Sequence, residues 1–276
     1  MILRITALQE QQFYDSEYAR HLQVPDHDLR TNRESLLRDV NQPAGAFYER
    51  RKLYGALLRQ LLSEPLAGCA ALDYGCGLGE WGVLMATEGA RVTLLDLSPV
   101  AIEIGLRRAA ANGVAGRVRG FARDAADLSC FADAEFDLIY AGAALHHTLK
   151  YPHALTELVR VLRPGGKLIL AETFGNNRLL NGLRRARWRL SRQPEEAGED
   201  IILGDRELGL LRAHFSRLDV TPMNLLAMAK RIFRGRFESP AVRRVLALLE
   251  ATDARVLALV PSLKRYCGEV FVVAEK

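Results

Sequence analysis

The stretch Ala71-Leu72-Asp73-Tyr74-Gly75-Cys76-Gly77-Leu78-Gly79-Glu80-Trp81-Gly82 limits the fold more than any other part of this 276-residue chain. A short apolar run meets an acid, breaks into glycines at every second position, and passes into a helical pattern. Glycine accepts positive φ and carries no side chain, so the backbone can turn sharply and approach a ligand closely. The helix that follows opens with N–H groups and a positive dipole end at the same spot. A strand, a glycine turn and a helix in this order form a nucleotide cradle. Gly77 to Gly82 also spells GxGxxG, the dinucleotide fingerprint, with Asp96 where a ribose-binding acid belongs. That reading starts late, because the tight turn after the strand falls at Gly75. From there the loop is GxGxG with an acid two residues before it.

From Ala70 the chain alternates strand and helix. Strands are predicted at 70–73, at Arg91 to Leu95 before Asp96, at Val118 to Ala122 before Asp124, at Phe136 to Ala141, and at Lys167 to Ala171 before Glu172. Ser98-Pro99 caps a helix running toward Asn112-Gly113, and Leu155, Leu158, Val159 and Leu162 stripe another. Such alternation predicts a parallel sheet with right-handed crossovers and helices on both faces. Ligands of such sheets bind outside the carboxyl ends of the strands, which is where Asp73, Asp96, Asp124, residues 141–147 and Glu172 fall.

The regions outside this rhythm read as helical. In residues 1–65, Asn41 is placed to cap a helix ahead of Pro43, and Leu53, Leu57, Leu58, Leu61 and Leu62 recur at helical spacing up to Pro65. The earlier aromatic stretch, with Phe13, Tyr14, Tyr18 and His21, is either a packing extension or a lid that brings aromatic contacts to the ligand. Asn176 to Gln193 holds six arginines and no acid. A helix from Asp205 to Phe215, a strand near Arg217 to Val220, helices over 225–233 and 242–259, and a strong strand from Glu269 to Ala274 complete the chain. The expected division is a helical extension or lid at 1–65 and one domain at 66–276, with insertions at about 174–204 and 223–265.

Composition bounds the function classes. Hydrophobic residues make up 49%, enough for a large core, and the formal charge of +5 suits an acidic small molecule without indicating nucleic acid. Cys69, Cys76, Cys130 and Cys267 show neither metal-ligand spacing nor a disulfide framework, and no apolar stretch reaches membrane-spanning length. The expectation is a cytoplasmic protein without a resident metal; weak contact of the basic helices with an acidic membrane surface stays open, as does the oligomeric state.

At Leu72-Asp73-Tyr74-Gly75-Cys76-Gly77-Leu78-Gly79, Leu95-Asp96-Leu97-Ser98, Asp124-Ala125, Phe136-Asp137-Leu138-Ile139, Leu145-His146-His147 and Leu162-Arg163-Pro164-Gly165-Gly166, the sequence resembles the class I S-adenosylmethionine-dependent methyltransferases of the small-molecule bacterial type. The resemblance covers residues 68–173 closely and the terminal strands more loosely. It implies an α/β, Rossmann-like seven-stranded sheet, mostly parallel with an antiparallel last strand, helices on both faces and helical lid insertions. It further implies that S-adenosylmethionine is the cofactor and S-adenosylhomocysteine the product. Gly75, Cys76, Gly77 and Gly79 would lie against the methionine and ribose portion and Asp73 near the ammonium group. Asp96 would take the ribose hydroxyls, for which a carboxylate has paired acceptors. Leu97 would meet the adenine face, Asp124 and Ala125 the adenine edge, with Ala141, Tyr14 and Tyr18 completing the site.

For the chemistry, the expected general-base candidates are Glu172, His146 and His147. The alternative for Glu172 is a strand-end residue that fixes the loop after it. Nucleic-acid amino methylation needs an Asn or Asp, two prolines and an aromatic where Ala141-Gly142-Ala143-Ala144 stand, cytosine methylation needs a Pro-Cys pair, and metal-assisted catechol methylation needs clustered carboxylates there. A small organic acceptor remains, methylated at oxygen, nitrogen or carbon. Arg178, Arg184 and Arg185, within the run that continues through Arg187, Arg189 and Arg192, are either a solvated surface or receivers of an anionic group such as an isoprenyl diphosphate. The rival readings are a non-catalytic cofactor-binding regulator, marked by large aromatics beside Glu172, and an NAD-dependent oxidoreductase.

Overall fold

A computed structural model describes residues 6–151, 153–191 and 202–276, with the side chains of 184, 185 and 187–191 left out of account. Seven strands form one sheet: β1 (Ala70–Tyr74), β2 (Arg91–Asp96), β3 (Val118–Ala122), β4 (Phe136–Gly142), β5 (Leu162–Thr173), β6 (Arg217–Met223) and β7 (Glu269–Glu275), in the order β3-β2-β1-β4-β5-β7-β6. Every pairing from β3 to β5 is parallel, and β7 runs antiparallel to both of its neighbours. This is the expected α/β class.

The N-terminal region supplies α1 (Ala7–Ala19), α2 (Arg33–Asn41) and α3 (Arg51–Leu61). Around the sheet run α4 (Glu80–Thr87), α5 (Pro99–Ala111), α6 (Leu145–Thr148), α7 (Ala154–Val161), α8 (Arg178–Ser191), α9 (Asp205–His214) and α10 (Pro240–Leu259). The Ser98 hydroxyl accepts the Ala101 amide at 3.1 Å, with Pro99 at the first helical position of α5. Alternating strand residues feed two apolar layers: Ala71 and Tyr140 join Leu53, Leu57, Leu84 and Met85, while Leu72, Tyr74, Ile139 and Ala141 join Leu155, Leu158 and Phe136.

Three boundaries differ from the sequence reading by more than two residues. Asn41 closes α2, its amide donating to the Leu37 carbonyl at 2.8 Å, and is no cap for the next helix. The chain doubles back on α2 first; a Cβ on Gly45 would sit 2.2 Å from the Asp39 carbonyl oxygen. β5 begins at Leu162 rather than Lys167, because Leu162 pairs with Phe136 and the following turn bonds to the chain end through Gly165 and Gly166 with Lys276. β6 extends to Met223, opposite Glu269. Since β7 is antiparallel, its first residue Glu269 lies beside Thr173 at the carboxyl rim of the parallel strands.

Candidate active site

The glycine loop leaves β1 with Gly75, Gly77 and Gly79 at φ of 71°, 51° and 77°. Gly75 has no substitute here: a Cβ would lie 2.4 Å from the Ala144 Cβ, so the loop rests directly on the segment after β4. The amides of Gly75 and Cys76 donate to the Leu95 carbonyl at 2.8 and 3.0 Å, and that of Gly77 to Asp96 Oδ2 at 2.9 Å. The amides of Gly75, Cys76 and Gly77 therefore bind the end of β2. The Cys76 thiol is pushed well above its usual range by burial and by Asp96 and Asp73, which leaves it a small turn residue rather than a nucleophile.

Two strand-end acids are nearly dry. Asp96 receives the Gly77 amide on one oxygen and the Ser98 amide at 2.9 Å on the other, and burial still raises it to about 6 against those two donors. Asp73 is 1% exposed, and its Oδ2 has no hydrogen-bond partner among the described residues. Burial pushes it up to about 8, opposed chiefly by the Gly82 amide. An orphaned buried carboxyl oxygen beside the glycine loop fits a ligand ammonium, and Asp96 keeps lone pairs for hydroxyls. Leu97, Asp124 and Ala125 are half-buried at the same rim, with Asp124 Oδ1 accepting the Ala126 amide at 2.9 Å. Ala141 is fully buried, its methyl in the apolar layer with Leu72 and Ile139.

The first helix roofs the cradle. A Cβ on Gly77 would meet the Tyr18 hydroxyl at 3.4 Å, and Tyr14 stacks on Tyr18 with ring centroids 5.8 Å apart. Tyr14 Oη lies 3.4 Å from His147 Nε2, His147 Nδ1 lies 3.0 Å from Glu10 Oε1, and Lys150 donates to Glu10 Oε2 at 3.2 Å. Sequence reasoning missed the fastener. Arg108 of α5 donates to the Leu78 carbonyl in the glycine loop at 2.8 Å, to Leu29 at 3.2 Å, to Thr31 and to Glu80. The only signal was an arginine on the apolar side of an alanine-rich helix.

Glu172 is fully buried. Its Oε1 accepts the Ala144 and Leu145 amides at 3.1 and 2.9 Å, and its Oε2 lies 2.9 Å from His146 Nδ1. Burial works against its charge, but His146 and Arg50 hold the carboxyl below the usual range. Ala143 takes a left-handed φ of 54°, uncommon without a glycine, and the Glu172 carboxylate organises the turn around it. These contacts fix the turn after β4 rather than the loop after Glu172 that the alternative named. His146 and His147, with ring centres 4.1 Å apart, are each turned toward a different carboxylate.

A second polar group, which no local sequence signal announced, stands at the same rim over β5 and β7. Glu269 binds Lys230 at 2.9 Å through both oxygens, Arg50 at 3.2 Å, and Asn224. Arg178 is exposed; the side chains of Arg184, Arg185, Arg187 and Arg189 and the whole of Arg192 lie outside the described residues. Among the described residues no group of His, Cys, Asp or Glu could hold a metal ion, and no helix is long and apolar enough to cross a membrane.

Residues 71–166 match the family model described as a methyltransferase domain. The chain is 40% identical over 112 residues to an O-methyltransferase, rstn1, of Aspergillus nomiae, covering 40% of this chain and 49% of that protein. It is 39% identical over 107 residues to the 27-O-demethylrifamycin SV methyltransferase of Amycolatopsis mediterranei, covering 38% and 39%. The chain thus spans half or less of the length of these relatives. Among solved structures it resembles the [4+2]-cyclase SpnF at a TM-score of 0.60 and 20% identity, over 99% of this chain and 97% of that one, a likeness of fold alone. The fold and the matched domain define the class: a class I S-adenosylmethionine-dependent methyltransferase domain. Residues 71–166 carry the match to that domain, and S-adenosylmethionine is the cofactor of the class.

Proposed function

We propose that this protein transfers a methyl group from S-adenosylmethionine to a small organic acceptor. The observation that carries the reading is Oδ2 of Asp73, without a hydrogen-bond partner among the described residues and buried at the end of β1 beside the glycine loop. Bound there, the cofactor supplies an activated methyl on a sulfonium. The chain's own part is alignment and exclusion of water, and alignment can remove up to about 7–11 kcal/mol of barrier. Tyr14 and Tyr18 on α1 supply the roof, and Asp96 with the Gly75–Gly79 loop supplies the floor. A proton leaving an oxygen, nitrogen or carbon acceptor goes to His147 or His146, worth about 10²–10⁴-fold. Glu172 acts through His146 as a positioning residue, because its oxygens already hold two amides and the imidazole. The acceptor class extends to natural-product intermediates and anionic metabolites such as isoprenyl diphosphates.

One observation favours the non-catalytic rival: Tyr54 and Tyr140 stand near Glu172, as large aromatics filling an acceptor space would. Calorimetry separates the readings. The parent is expected to bind S-adenosylhomocysteine, with Asp96→Ala at least tenfold weaker, and to consume S-adenosylmethionine when offered a panel of hydroxylated and anionic acceptors. Binding of NAD without S-adenosylhomocysteine overturns the proposal; cofactor binding without turnover on any acceptor supports the regulator.

A further inference from the structure

Four cations crowd the rim where β5 ends and β7 begins, around two carboxylates. Glu269 is saturated by Arg50, Lys230 and Asn224. Glu49 receives Arg234 at 2.6 and 2.9 Å and lies 4.0 Å from Arg231 Nε. The adjacent pairs Glu49–Arg50 and Lys230–Arg231 thus face each other from the segments Tyr48–Arg50 and Leu226–Phe233, before α3 and after β6. Two donors are left over: Arg50 Nη2 and Arg231 Nε are buried and have no hydrogen-bond partner among the described residues. A buried charged donor without an acceptor costs stability, so a fold that retains two of them in one cluster calls for a ligand that satisfies both.

We propose that Arg50 and Arg231 form a subsite for an oxyanion, a carboxylate or phosphate group carried by the methyl acceptor. This rests on the methyltransferase reading of the same rim. The guanidinium is the donor that suits either group, being planar, permanently charged and able to donate two parallel bonds. Lys230 and Glu269 neutralise one another and hold Arg50 in place beside the Tyr54 hydroxyl, and Nη2 is the nitrogen the ligand would take. The position selects the acceptor rather than the cofactor. Asp73, Asp96 and Asp124 occupy the ends of β1, β2 and β3, whereas Glu269 stands across β4 and β5 from them, next to Thr173. The two halves meet through aromatic rings: the Arg50 guanidinium lies 5.7 Å from the Tyr54 ring centre, and Tyr54 stacks at 5.5 Å on Trp81, in the first turn after the glycine loop. An anion at the subsite would hold its carrier against those rings, beside Glu172 and the histidines it positions.

The test is calorimetry on the full chain saturated with S-adenosylhomocysteine, with inorganic diphosphate and succinate as separate probes. Saturable binding of at least one probe is expected, weakened tenfold or more in both Arg50→Lys and Arg231→Gln, with S-adenosylhomocysteine affinity within threefold of the parent. Arg50→Lys keeps a cation opposite Glu269 and so preserves the fold, and Arg231→Gln reports independently of it. The difference between the probes tells phosphate from carboxylate. The subsite is overturned if neither probe binds the saturated parent, if both variants bind as the parent does, or if Arg50→Lys loses S-adenosylhomocysteine instead, which would give Arg50 to the cofactor's own carboxylate. Failure of the parent to bind S-adenosylhomocysteine sinks the methyltransferase reading and leaves the anion titration of the free protein to decide the subsite.

Discussion

Nδ1 of His146 lies 2.9 Å from Oε2 of Glu172, and the other oxygen of that carboxylate holds the amides of Ala144 and Leu145. One buried side chain thereby fixes both the imidazole and the turn that carries it. The turn in turn carries the methyl group on which Gly75 rests.

Replacing Glu172 by glutamine keeps the shape but removes the charge that His146 and two amides address. A loss of about 1–3 kcal/mol is expected, read as a lower denaturation midpoint with an unchanged m-value. The acid response should change as well. The Glu172 carboxyl sits below its ordinary value of 4.5 in the folded protein, so its stabilisation is present above that pH and disappears as pH falls through the folded value. The parent melting temperature should fall more steeply than that of Glu172→Gln below pH 4.5, and parallel curves would contradict the assignment.

Asp73 is expected to behave in the opposite sense. Its folded pKa is raised from 3.8 to about 8, so ionisation disfavours the folded state, absent at low pH and growing as pH rises toward 8. Asp73→Asn should stabilise the ligand-free protein at pH 8 to 9, by roughly 2–4 °C per kcal/mol gained. The same variant should bind S-adenosylhomocysteine at least tenfold more weakly. Binding to the parent at pH 7 should release protons, visible as calorimetric heats that vary with the buffer's ionisation enthalpy.

Alanine at Gly75 and at Gly77 should separate two kinds of constraint. Both positions have positive φ, worth about 1–2 kcal/mol against a side chain. At Gly75 the new methyl also strikes Ala144 at 2.4 Å, while at Gly77 it only touches the Tyr18 hydroxyl at 3.4 Å. Gly75→Ala should lower thermal stability and cofactor affinity together. Gly77→Ala should chiefly affect affinity, and Tyr18→Phe in the same chain should relieve part of that loss.

Arg108 ties the glycine loop, α5 and the N-terminal extension through four acceptors. Arg108→Met leaves the Leu78 and Leu29 carbonyls and Glu80 without it, and a loss of roughly 3 kcal/mol is expected. Limited proteolysis should cut the region before Thr31 several-fold faster than in the parent. Equal cleavage rates would show that the extension is held elsewhere.

The parallel strands, the capped α5 and the rim acids were legible because each depends on residues close in sequence: an apolar run, a Ser-Pro cap, an acid at a strand end. The start of α3 was misplaced because Asn41 and Pro43 resemble a cap locally, while packing of Gly45 against Asp39 turns the chain back first. The start of β5 was late because its pairing with Phe136 and with the chain end is long-range.

By itself the sequence determined the glycine turn, the order of strand and helix, and which acids end which strands, since backbone geometry and periodicity are local properties. Only the tertiary structure decided what those residues do to one another. It engaged the cradle amides with Leu95 and Asp96, left Asp73 Oδ2 without a donor among the described residues, and set Glu172 against His146 and the turn after β4. It also brought Arg50 and Lys230, 180 residues apart in sequence, to the single carboxylate of Glu269. The physical reason is burial: whether a carboxylate, an amide or a guanidinium is satisfied depends on neighbours the fold supplies from elsewhere in the chain. The Asp73-to-Gly79 stretch was readable from its own residues, whereas the partners that set its chemistry came from α1, α5 and the segment after β4.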